Sequence, residues 1–111
     1  MTNFFKIPPG TVNSKDEFFQ KILTGKNGLL VERIISHGHY TPNGQWYDQD
    51  RDEWVLVLEG EASLGFENDI KVTLARGDHL FLPKNKKHRV LKTSSPCIWL
   101  AIHGCLEESA I

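Results

Sequence analysis

Apolar and polar positions along the chain change their period near residue 29. Before it, Phe18, Phe19, Ile22 and Leu23 recur at helical spacing behind Ser14-Lys15-Asp16-Glu17. There the Ser14 hydroxyl can accept from the Glu17 amide while the Glu17 side chain reaches back. The pattern predicts one short amphipathic helix, stopped by Gly25 or Gly28, with its phenylalanines packed on a larger body. From Leu29 onward the apolar runs are short, rich in branched residues and broken by turn residues. Segments 29–36, 54–58, 62–66, 70–74, 79–82, 90–91 and 97–103 read as strands, with Glu67-Asn68-Asp69 closing a hairpin and Pro42-Asn43-Gly44 a turn. Strands recurring about every 8–12 residues point to an all-β sandwich or small barrel. The expected organisation is an N-terminal extension carrying the helix over 1–28, a barrel over 29–103 and a C-terminal tail over 104–111.

Composition narrows the class. A chain of 111 residues has room for one domain, and 40% hydrophobic with 10% aromatic content is that of a folded chain. Thirteen basic against fourteen acidic residues leave a net charge of −1, which argues against holding nucleic acid by bulk positive charge, and no helix is available to enter a groove. The longest apolar runs are strand-sized, so no membrane span is expected, and the first residues lack a signal-peptide pattern. Two cysteines, Cys97 and Cys105, are too few for a disulfide scaffold and are expected to be inert thiols in a reducing cytoplasm. Five histidines, at 37, 39, 79, 88 and 103, are the chemical feature that composition leaves to be explained.

Two spacings bear on them. Glu53 is followed by six residues and Gly60; Gly77 is followed by five residues and Pro83, with His88 five positions beyond that proline. In this order and at this separation the two patterns resemble the motifs of the cupin family, over about residues 29–103. The resemblance implies a double-stranded β-helix, a small jelly-roll barrel. Its pocket would hold a divalent transition metal (Fe, Mn, Ni or Zn) on two motif-one histidines, the motif-one glutamate and the motif-two histidine. This chain departs from the pattern where the first two ligands should stand: the positions are Tyr47 and Gln49, or Trp46 and Asp48 in the other register. Asn85 replaces the motif-two glycine and Lys92 its asparagine. Asn tolerates positive φ better than most residues, so the first change is mild. His37-Gly38-His39 is an HXH, but thirteen residues separate it from Glu53.

The resemblance therefore leaves Glu53 and His88 as ligands, with Gln49 able to add an amide oxygen in a low-affinity site, and Tyr47, Gln49, Glu53 and His88 as pocket residues. His37, His39 and His103, or Asp48 through an oxygen, are candidates to rebuild the site, but these three histidines, like His79, are expected to be structural. Tyr47, Gln49 and Trp54 read either as ordinary sheet aromatics and polars or as a rim for a planar or sugar-like ligand. Lys84, Lys86, Lys87, Arg89 and Lys92 read either as a solvated basic turn, paired with the acidic loop around Asp48, Asp50 and Asp52, or as a lure for an anionic ligand. The expected function is a small-molecule-binding cupin with a weak or altered metal site. The alternatives are a metal-dependent enzyme of oxygenase, isomerase or decarboxylase type using Glu53 and His88, and a metal-free regulatory or interaction domain. The resemblance also implies a homodimer, and the outward face of Trp54, Leu56 and Leu58 would suit its interface or packing under the N-terminal helix.

Overall fold

A computed structural model describes residues 3–110. Eight strands form two antiparallel sheets: β1 (Phe18–Thr24), β2 (Leu30–Ser36), β3 (Asp52–Glu59), β4 (Glu61–Phe66), β5 (Lys71–Ala75), β6 (His79–Leu82), β7 (His88–Thr93) and β8 (Cys97–Gly104). The larger sheet has the order β1-β2-β8-β3-β6 and the smaller β5-β4-β7. All seven strands read from the chain beyond residue 29 are present. The 67–69 hairpin closes through a single 3-10 turn, with Asn68 and Asp69 at positive φ.

The expected helix is absent, and the segment forms β1 instead. Ser14 Oγ accepts from the amide of Asp16, not of Glu17, so no capping box closes. Glu17 turns away and takes a hydrogen bond from the Ser36 hydroxyl. Phe18 to Thr24 then pairs along the free edge of β2, Phe18 opposite Ile35 and Thr24 opposite Leu30. A helix of this length is marginal by itself, whereas the β2 edge offers a ready ladder of backbone partners.

Alternation sorts β3 cleanly. Val55 and Val57 point between the sheets, while Trp54, Leu56 and Leu58 are half-buried on the outside. The core joins these valines to Ala62, Leu64, Leu74, Leu82, Cys97 and Trp99. Two turn positions account for the motif spacing. Gly60 lies at φ +83, and a Cβ there would stand 2.2 Å from Ser94 Oγ and 2.4 Å from the Pro96 carbonyl oxygen. Asn85, at φ 63, takes the left-handed turn that glycine would otherwise fill.

Candidate functional site

Three neighbouring strands of the large sheet, in the order β2, β8, β3, carry Glu32, His103 and Glu53 on their inner face. Glu53 is paired directly opposite His103, and Glu32 lies diagonally from it, since its own partner is Ala101. His88 comes from the other sheet. It opens β7 opposite Phe66 and is bridged on its other side by Tyr47, whose amide donates to the His88 carbonyl at 2.7 Å. These residues line a cavity of about 120 Å³ between the sheets, with an apolar wall that includes Ile34, Val55, Leu64 and Trp99.

Within it, His88 Nε2 stands 3.8 Å from Glu53 Oε1, and His103 Nε2 stands 3.7 Å from both Glu53 Oε2 and Glu32 Oε1. The Gln49 amide nitrogen reaches Glu53 Oε1 at 3.4 Å. His88 Nδ1 lies 3.1 Å from the Lys86 carbonyl, which can only accept; Nδ1 therefore carries a proton, and Nε2 is turned toward Glu53. His103 is 6% exposed, and neither of its ring nitrogens has a hydrogen-bond partner among the described residues. Burial raises the Glu53 carboxyl above its ordinary value and Glu32 adds to the rise, while His103, His88 and Gln49 oppose it. Burial, with Glu17 and Glu53 nearby, likewise raises the Tyr47 phenol, which stays a donor. Burial thus makes the charged form of Glu53 costly unless a bound group compensates it.

Tyr47, Gln49, Glu53 and His88 thus line one cavity, as the resemblance implies. Trp54 does not: it faces outward, its indole nitrogen 3.3 Å from His79 Nδ1, because its parity is opposite to that of Glu53. Sequence reasoning passed over Glu32 and Trp99, and it weighed His103 as a further ligand before setting it aside as structural. His103 shares the inward parity of Trp99 and Ala101 along β8, and that alternation is the signal that could have found it. His37 and His39 are tied elsewhere, His37 between Thr11 and Ser95 and His39 against the Ser14 carbonyl, so the HXH does not reach the pocket. The acidic and basic loops do meet, but through backbone groups: the Lys84 amide donates to Asp52 and the Asn85 amide to the Gln49 carbonyl. No lysine or arginine lies among the described residues that line the cavity. Burial pushes the Cys97 thiol up to about 12, which keeps it inert.

The metal implied by the resemblance finds half of its ligand set. Tyr47 holds a protonated phenol at one motif-one position, and Gln49 at the other turns an amide nitrogen toward Glu53. Glu53 and His88 remain, and among the described residues no group of three or more His, Cys, Asp or Glu side chains is placed to hold a metal ion. The four-ligand site of the family does not fit these residues.

Known proteins share this fold. The Cupin domain family model matches residues 34–103. No curated protein matches. A crystal structure from Ralstonia eutropha JMP134, provisionally named a mannose-6-phosphate isomerase, is 40% identical, with a TM-score of 0.85, covering 96% of this chain and 98% of that one. A cupin superfamily protein from Desulfitobacterium hafniense DCB-2 is 19% identical (TM-score 0.69, 83% and 80% covered). An RmlC-like cupin protein from Desulfovibrio desulfuricans is 16% identical (TM-score 0.71, 94% and 96% covered), and these last two speak for the fold alone. With both motif spacings, two antiparallel sheets around one pocket and a family match over most of its length, the chain belongs to the cupin family.

Proposed function

We propose that this protein is a small-molecule-binding cupin whose ligand sits between the sheets against Glu53, His88, His103 and Glu32, with Tyr47 and Gln49 at the mouth. The observation that supports it is the unsatisfied polarity of the cavity. Buried polar groups normally find partners, yet His103 offers two ring nitrogens with none among the described residues, beside carboxylates held just beyond hydrogen-bond length. An apolar cavity of about 150 Å³ accommodates benzene, so a space of about 120 Å³ suits a guest of that size or a little less. The provisional name of the Ralstonia relative suggests a phosphorylated sugar, but the cavity wall supplies carboxylates and no lysine or arginine for a phosphate group.

A second reading, a divalent ion held loosely by Glu53, His88 and Gln49, has one feature in its favour. The Lys86 carbonyl fixes the His88 tautomer so that Nε2 faces Glu53, the second-sphere arrangement of a ligating histidine. One experiment addresses both. Untagged protein is analysed for bound metal after incubation with Fe, Mn, Ni and Zn, and its spectra are recorded against a metabolite library. Shifts at the Trp99 indole and the Val55 methyls with less than about a tenth of an equivalent of metal are the expected outcome; stoichiometric metal lost in His88→Ala favours the second reading. Silence of both pocket probes across the library would defeat the first.

A further inference from the structure

The cavity has a strongly one-sided charge inventory. Among the described residues that line it, Glu17, Glu32 and Glu53 are carboxylates and none is a lysine or arginine. It shares Glu32, Gln49 and His103 with a wider, open hollow of about 800 Å³ that adds Asp48 and Asp50 against Arg51 alone. The nearby cations are engaged elsewhere: Arg51 donates to the Gly28 carbonyl, Arg89 to the Thr41 carbonyl and Asn43, and the Lys86 ammonium stands 4.9 Å over the Phe66 ring. A chain of net charge −1 thus gathers a local negative patch at one opening.

We propose that the occupant is a small organic ammonium ion, its nitrogen bridging Glu53, His103 and Glu32 and its apolar part lying against Trp99 and the rim rings of Tyr47 and Phe19. The inference rests on the pocket reading above and adds the ligand's chemical class. An ammonium group is donor-only, and ionised carboxylates are acceptor-only. The gaps of 3.7 and 3.8 Å between the imidazoles and carboxylates are too wide for the side chains to satisfy one another, and a donor with two or three N–H bonds placed among them would serve several at once. Carboxylates withdrawn from water need a compensating charge, and the described residues of the lining supply no lysine or arginine. Aromatic faces around the remaining space add attraction for a cation while tolerating its alkyl groups. His103, buried and lining both the cavity and the outer hollow, is the polar group aimed at this position.

The test compares three probes of nearly one size on the full chain with a chelator present: n-propylammonium, n-propanol and propionate. Resonances of Trp99, Val55 and Ala101 are followed by NMR during each titration. The expected result is that propylammonium binds at least about tenfold more tightly than propanol, a difference of about 1.4 kcal/mol, and that propionate does not bind. Glu32→Gln and Glu53→Gln, each checked for an unchanged fold by the dispersion of its spectrum, should each weaken propylammonium at least fivefold and leave propanol unaffected. If propanol equals propylammonium, or propionate binds more tightly than either, the ammonium class is wrong while the pocket survives. If none of the three binds, the inference also fails, and the pocket reading then stands or falls by the metabolite titration described above.

Discussion

Glu53 brings a carboxyl group into a wall of valine, leucine and tryptophan and is 7% exposed. Removal from water disfavours its charged form more than the two histidines and Gln49 restore it, so its folded-state value is raised. In the unfolded chain the same group ionises at its ordinary value. The stability it contributes is thus fully present below that ordinary value and is lost as pH rises through the raised, folded one. Each unit of such a rise is worth about 1.4 kcal/mol. Glu53→Gln keeps the shape and removes the ionisation. It should therefore melt higher than the parent at about pH 8, by roughly 5 °C per kcal/mol recovered, with the gain shrinking toward about pH 4. Thermal melts of the two proteins across that range check this, and a variant less stable at every pH would contradict it. The inward place of Glu53 was legible through the family resemblance, because its distance to Gly60 is counted along the chain. Its acidity was not, because the burial that raises it, and the His103 and Glu32 side chains that modulate it, come from other strands.

Among the elements, β1 shows how tertiary partners override local pattern. Phe18, Phe19, Ile22 and Leu23 suit a helix by spacing, yet the β2 edge takes the segment as a strand. What secures the chain before it is Arg33, 1% exposed on β2. Its Nη1 donates to the carbonyls of Asn3, Phe4 and Lys6 at 3.0, 3.1 and 2.8 Å, its Nε donates to Gln20 at 2.9 Å, and its guanidinium lies 5.9 Å from the Phe18 ring centre. One buried cation thus ties the N-terminal segment, β1 and β2 together with carbonyl oxygens only. Arg33→Ala would leave those acceptors without a donor and should cost about 2–3 kcal/mol. Hydrogen exchange over residues 3–7 and 18–24 should quicken well before the rest of the protein. Arg33→Lys should recover only part, since an ammonium cannot reproduce the planar fork. Unchanged exchange in Arg33→Ala would show that the clasp is dispensable. A single arginine within an apolar strand carries no sign of such partners in sequence, because they lie up to 30 positions away.

The whole molecule presents a half-buried apolar surface on the outside of its larger sheet: Trp54, Leu56 and Leu58 on β3, Phe81 on β6, and Leu100 and Ile102 on β8. Apolar faces of this kind mark association sites in small β proteins, and the expected outcome is a homodimer. Sedimentation at micromolar concentration should give twice the chain mass of 12.7 kDa. Leu56→Glu, outward-facing and remote from the cavity, should return it to the single-chain mass, and a parent that sediments at 12.7 kDa would rule the dimer out. Among the described residues no helix is long and apolar enough to cross a membrane. At this scale the division between sequence and structure is clear. Period-two alternation and turn residues are local properties, so they place the strands from Leu30 onward, and the two counted spacings carry the family resemblance that implies the jelly roll and the inward direction of Glu53 and His88. Sheet order is not local. Only pairing β8 between β2 and β3 sets His103 opposite Glu53 and diagonal to Glu32. Only that closure turns an expected metal position into a cavity of carboxylates and imidazoles, because the distances that matter there run across strands and not along the chain.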